Sequence, residues 1–142
     1  MGVSEEPRAL LADVDGAMCP ARLVLEHVTS RWGVLVLIAL GDRSYRFSEL
    51  RRHIGRVSEK MLTQTLQTLE RDGFVHREAR PVIPPRVDYR LTPLGEEAAR
   101  RVRELAGWTD LRVPEVEEAR ARYDAARREN ATTPFPAGGA GA

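Results

Sequence analysis

From Ser58 to Arg71 the chain carries Lys60, Thr63, Gln64, Gln67, Thr68 and Arg71 at intervals that keep them on one side of a helix. Ammonium, hydroxyl, amide and guanidinium groups in that array can donate to and accept from base edges, and can neutralise phosphates in a DNA major groove. Ser58 is suited to cap the helix, since its hydroxyl can accept an otherwise unpaired backbone N–H of the first turn. Met61, Leu62, Leu66, Leu69 and Phe74 recur at steps of three and four and predict a stripe packed on a core. Ser58 and Met61 are assigned to the nucleic-acid-contacting set as well. Any solvated helix surface would carry polar groups like these, so the neighbouring elements decide the reading.

Those neighbours form an ordered series. Before the polar-faced helix, Phe47, Leu50 and Ile54 are apolar, Arg51 and Arg52 point outward, and Gly55 ends a short helix, giving a helix-turn-helix pattern. Asp72-Gly73 stops the second helix, with glycine free to take a positive φ. Two runs of strand periodicity follow: Val75, Arg77 and Ala79 alternate with His76 and Glu78, and Val87, Tyr89 and Leu91 alternate with Asp88 and Arg90. Arg80-Pro81-Val82-Ile83-Pro84-Pro85-Arg86 between them is a stiff loop with arginine at both ends, suited to lie along phosphate or enter a minor groove. A plain hairpin without a ligand would have the same composition. The predicted order is helix, turn, helix, β-hairpin, in a mainly α fold with a small β component.

Charge is distributed unevenly. Arg43 to Thr92 holds eleven Lys and Arg against six acids, a net of +5, which leaves −4 on the rest of a chain whose formal charge is +1. Attraction to phosphate would therefore be local and weakened by salt. At 142 residues, 42% hydrophobic and 30% charged, the chain suits one globular domain with a core. Its longest apolar run, Val34 to Leu40, is too short to span a bilayer, and the acidic N-terminal segment does not resemble a signal peptide. The expected location is the cytoplasm.

Flanking elements complete the layout. Pro20 to Thr29 reads as a helix with Leu23, Val24, His27 and Val28 on one side, and Trp32 to Leu40 as a central buried helix stopped by Gly41-Asp42. Thr92-Pro93-Leu94-Gly95-Glu96 is a helix start with cap, proline and acid in their favoured places. Leu94, Ala98, Val102, Leu105 and Trp108 predict its apolar face. Pro114 is expected to begin a separate helix with Val116, Ala119, Tyr123 and Ala126 along one side. The resulting division is a flexible arm over 1–17, a winged helix-turn-helix domain with its following helix over 18–110, an amphipathic helix over 111–129 and a disordered tail over 130–142.

Cys19-Pro20, Arg31-Trp32-Gly33, RFSELRRHI, SEKMLTQTLQTLERDGFV, PPRVDYRLTPLGEE and Trp108 together resemble the HxlR-type transcriptional regulators of bacteria, over about residues 18 to 110. The resemblance implies a winged helix-turn-helix that binds double-stranded operator DNA as a homodimer on an inverted repeat. It makes Ser58 to Arg71 the recognition helix, with Lys60, Thr63, Gln64 and Arg71 on bases or backbone. Arg46 and Ser48 would hold phosphate, and Arg86 and Arg90 would serve the wing. Leu23, Leu94, Val102, Leu105 and Trp108 would build the dimer contact. The turn IGRVSEK departs from the family, which more often has a Pro-Gly pair before the serine, but Gly55 should preserve it.

Cys19 is the only cysteine, so no disulfide can form within one chain. Its place at the cap of a helix, close to Arg22, favours a reactive thiolate. In part of the family a cysteine here senses oxidants or electrophiles, while a small buried packing residue would look the same in sequence. The three histidines, His27, His53 and His76, form no triad or metal-ligand spacing, so neither an enzyme nor a metal or cofactor site is expected. Two other readings stay open: a regulator switched by a small ligand with Cys19 inert, and a winged helix whose basic face meets an acidic protein.

Overall fold

A computed structural model describes residues 20–132. The expectations placed on Cys19, on the arm over 1–17 and on the tail beyond Thr132 lie outside the described residues. The elements are α1 (Pro20–Thr29), α2 (Arg31–Asp42), β1 (Tyr45–Arg46), α3 (Phe47–Ile54), α4 (Glu59–Arg71), β2 (Val75–Arg80), β3 (Arg86–Leu91) and α5 (Pro93–Thr132). The chain divides into two compact units at Glu104/Leu105, inside α5.

The first unit is built around α2, whose near-continuous apolar sequence buries Val36, Leu37, Ala39 and Leu40. Onto it pack Leu50 of α3, Leu62, Leu66 and Leu69 of α4, then Phe74, Val75, Tyr89 and Leu91, with Ala99 and Val102 of α5. Each such side chain removed from water contributes about 1.5–3 kcal/mol before entropy is counted, so this single cluster decides the fold. Helix ends follow from local chemistry. The Ser30 hydroxyl accepts from the Gly33 N–H at 3.1 Å, and the Thr92 hydroxyl accepts from Gly95 N–H at 3.0 Å. Gly55 and Gly73 take φ of 77° and 86°, where other residues would be strained, and end α3 and α4. Gly41-Asp42 does not stop α2 before Gly41. Both residues are its last helical positions.

Strands β1, β3 and β2 form an antiparallel sheet in that order, with Tyr45 opposite Tyr89 and Val75 opposite Leu91. The third strand goes beyond the expected hairpin. Two residues are too few to show a period in sequence; the ladder to β3 and the burial of Tyr45 under the core define β1. Among the described residues, no single helix is long and apolar enough to cross a membrane.

Two expectations about α5 are corrected. Pro114 does not start a new helix, because it lies within one helix running through Thr132. Proline removes one N–H and crowds the preceding turn, a cost of about 3 kcal/mol. The flanking Ala, Glu and Arg residues are strong helix formers, and Arg112–Glu115 at 2.7 Å and Glu118–Arg122 at 2.9 Å support the second unit. Val102 is taken up by the protein's own core, because Gly95, Ala99 and Val102, spaced four and three apart, form the inward face of α5. Leu94 is left outside, and in the second unit Leu105 and Trp108 are 55% and 56% exposed.

Candidate nucleic-acid interface

Helix α4 separates its two faces cleanly. Leu62, Leu66 and Leu69 are buried, while Lys60, Thr63, Gln64, Gln67 and Arg71 are exposed and Thr68 is half-buried. Met61 does not join the core stripe. It is 41% exposed, since its position one residue before Leu62 turns it outward beside Gln64. Ser58 caps the helix through a 3.0 Å bond accepted from the Met61 N–H. Among the described residues, Lys60, Thr63, Gln64 and Arg71 have no side-chain hydrogen-bond or ion-pair partner, so their donors and acceptors are available to a ligand.

The turn before α4 forms a basic cleft of about 580 Å³, lined by Ser48, Arg51, Arg52, Arg56, Ser58 and Glu59 with Phe47, Gly55 and Val57. Val57, which the sequence pattern did not single out, is buried and anchors the turn, and its carbonyl accepts from Arg51 Nε at 3.2 Å. At the other end of α3, the Glu49 carboxylate accepts from the Arg46 backbone N–H at 3.1 Å. That hydrogen bond, with Arg46 and Arg43 nearby, holds the Glu49 carboxyl below its usual range. Arg46 therefore ends β1, caps α3 and carries an exposed guanidinium; Ser48 sits in the first turn, exposed.

The sheet adds a second basic surface. Arg46 pairs with Asp88 across β1 and β3, Glu78 pairs with Asp88 across β2 and β3, and Arg80 pairs with Arg86. Because alternate residues share a face, Arg46, Arg80, Arg86 and Arg90 all lie on the side of Asp88. Asp88 alternates with the core-facing residues of β3, yet it is only 7% exposed, covered by the side chains it attracts. Arg86 Nε donates to its Oδ1 at 2.9 Å, and Arg80 Nε donates to its Oδ2. Both arginines at the base of the wing are thus engaged within the protein, whereas Arg90 has no partner among the described residues. An aspartate with arginine two residues before it, and a second arginine diagonally opposite across the hairpin, was the signal available in the sequence.

The hydrogen bond from Arg86, then that from Arg80, holds the Asp88 carboxyl below its ordinary value of 3.8 against the opposing effect of burial. A depressed native pKa means stability that is present above the unfolded value and lost as pH falls through the native one. Wild-type protein should therefore lose melting temperature as pH falls below about 4, and Asp88→Asn should flatten that slope. A residual slope should remain from Glu49. Parallel wild-type and mutant profiles in thermal melts across this range would refute the assignment.

Next to the recognition elements, His27 Nδ1 of α1 lies 2.5 Å from Asp72 Oδ2, at the C-terminal cap of α4. The helix that begins at Pro20 is thereby tied to the end of α4.

A helix-turn-helix with an outward polar second helix, followed by a basic β-wing, defines a winged helix-turn-helix DNA-binding domain. The HxlR-like helix-turn-helix family model matches residues 27–117, and the chain belongs to that family. It is 62% identical over 98 residues to the HTH-type transcriptional regulator YtfH of Escherichia coli strain K12, covering 69% of this chain and 78% of that protein. The structure of the regulator ytfH from Salmonella typhimurium superposes with a TM-score of 0.71 at 55% identity, covering 77% of this chain and 97% of that one. The redox regulator HypR in its reduced form gives a TM-score of 0.64 at 31% identity, covering 70% and 98%. The protein is a transcriptional regulator, not an enzyme.

Proposed function

We propose that this regulator binds an inverted-repeat operator as a homodimer, with α4 of each protomer in a major groove. The observation that carries the reading is the exposed, unpartnered set Lys60, Thr63, Gln64 and Arg71 on a helix whose other face is locked in the core. Arg46 and Ser48 hold phosphate on one side of that helix, and Arg90 holds it on the wing side. Leu23, Val24, Leu25 and Leu94 of the first unit, and separately Leu105 and Trp108 of the second, are exposed apolar groups that a two-fold partner would cover. A two-fold dimer would space the two recognition helices by one DNA turn, about 34 Å. Selection of duplexes from a random pool tests this reading. An enriched inverted repeat supports it, and recovery without sequence preference would favour an acidic protein as the partner of the basic face.

The regulatory reading is thiol sensing through Cys19, supported by the chain's likeness to a redox regulator and by the His27–Asp72 tie between α1 and the end of α4. Cys19→Ser should bind the selected duplex as wild-type does, but should no longer be released by diamide. Release unchanged in the mutant would eliminate Cys19 as the switch. Insensitivity of both proteins, with stabilisation by a small molecule, would favour a ligand-operated regulator.

A further inference from the structure

The wing was expected to reach DNA with arginine, yet the arginines at its base are engaged by Asp88 and its tip is apolar. Ile83 is 100% exposed and Val82 49% exposed, on a loop stiffened by Pro81, Pro84 and Pro85. If Arg80 and Arg86 both turned to DNA, they would strip a buried carboxylate of its partners, a larger cost than breaking an exposed pair. The tip projects next to two arginines and a hydroxyl: Arg46, Arg86 and Ser48 line a cleft of about 490 Å³ with Val82, Ile83, Pro84 and Pro85. A DNA backbone fits that combination, with phosphate in the cleft and the apolar tip beyond it.

We propose that Ile83, supported by Val82, is an apolar wedge that enters the minor groove beside the recognition site. The Arg80–Asp88–Arg86 cluster holds the stem that aims it. This proposal rests on the DNA-binding reading above. An apolar side chain cannot read the hydrogen-bond pattern of base edges, so its contribution to specificity is mechanical. It gains contact with sugars and base faces where the step beneath it opens readily, and it therefore favours flexible pyrimidine–purine steps such as TA. The partner committed to is duplex DNA, because the apolar tip is only two residues wide and is bordered by Arg46 and Arg86.

The test uses duplexes selected by the full-length wild-type protein, with 2-aminopurine placed in turn at each flanking step. Wild-type protein should raise 2-aminopurine fluorescence at one flank by unstacking the base. Ile83→Ala should abolish that rise and weaken binding by about tenfold, the effect expected for losing the buried part of one aliphatic side chain. Preference at base pairs under α4 should stay unchanged. A fully exposed position should tolerate the change, and a wild-type melting temperature would verify it. Ile83→Ala binding with unchanged affinity and flank preference would overturn the wedge while leaving the DNA-binding reading intact. A change in sedimentation mass with unaltered DNA binding would assign the tip to a protein contact and would also overturn it. Failure of the wild-type protein to select any duplex would remove both readings.

Discussion

Gly95→Val should leave the protein without a cooperative thermal transition. A Cβ at Gly95 would lie 1.9 Å from the Phe74 carbonyl oxygen and 2.9 Å from its carbon, with Leu91 Cδ2 at 3.2 Å. The obstructing atoms are backbone, and that backbone is pinned. Phe74 N–H donates to Leu69 O at 2.9 Å, Thr92 N–H donates to Phe74 O at 3.0 Å, and the Thr92 hydroxyl donates to Gly73 O at 2.5 Å. Making room would pull α5 away from the end of α4 and expose Ala99 and Val102. A loss of more than about 4 kcal/mol is expected, a large share of the roughly 5–15 kcal/mol that holds a domain of this size together. Gly107→Ala is the control, because a Cβ there meets nothing within 4 Å. It should be neutral or stabilising by up to about 1 kcal/mol, as alanine favours a helix over glycine. Circular-dichroism melts of the two variants decide the matter, and a wild-type curve for Gly95→Val would refute the tight crossing.

The second large effect is expected on DNA. Combining Lys60→Ala with Gln64→Ala should weaken operator binding by about 100-fold or more, on the basis of ~1–3 kcal/mol for each well-made polar contact to DNA. The two single variants should differ in kind. Lys60→Ala should lower the salt dependence of binding by about one counterion if the ammonium meets phosphate, affecting all sequences alike. Gln64→Ala should instead relax preference at one base pair, since an amide can bond an adenine edge bidentately. Both positions are exposed and outside the core, so folding should be preserved. Fluorescence anisotropy at several salt concentrations separates these outcomes, and wild-type affinity in the double variant would remove α4 from the reading role.

Much of this architecture was legible because local signals and tertiary packing agree. The cap at Ser58, the glycine stops at Gly55 and Gly73, and the start at Thr92 each depend on chemistry within a few residues, and the structure realises them. What escaped depends on distant partners. Tyr45-Arg46 becomes a strand only because β3 supplies its ladder, and Asp88 turns inward because two arginines enclose it. Met61 was read both as core and as a DNA-facing residue, and Val102 as a dimer contact, since an apolar residue at the edge of a stripe satisfies either face until the core is assembled; Met61 is left exposed and Val102 is buried. Pro114 was read by its usual effect, which the surrounding helix formers override. On the wing, composition drew attention to arginine, whereas the three-dimensional arrangement engages Arg80 and Arg86 and leaves Arg90 and the aliphatic tip free among the described residues.

The enclosure of Asp88 sets a condition on how such a wing can be inherited or transplanted. A chimera that takes its loop from a relative but keeps this β3 would leave a buried carboxylate facing whatever replaced Arg80. Its failure would then say nothing about the grafted tip. Arg80, Asp88 and Arg86 must travel together, and the pairing of Asp88 with Arg46 extends that unit into the entrance of α3. Exchange of DNA preference between such regulators should therefore succeed when the segment from Val75 to Leu91 moves as one block, and should cost folding yield when the arginines and the aspartate come from different parents.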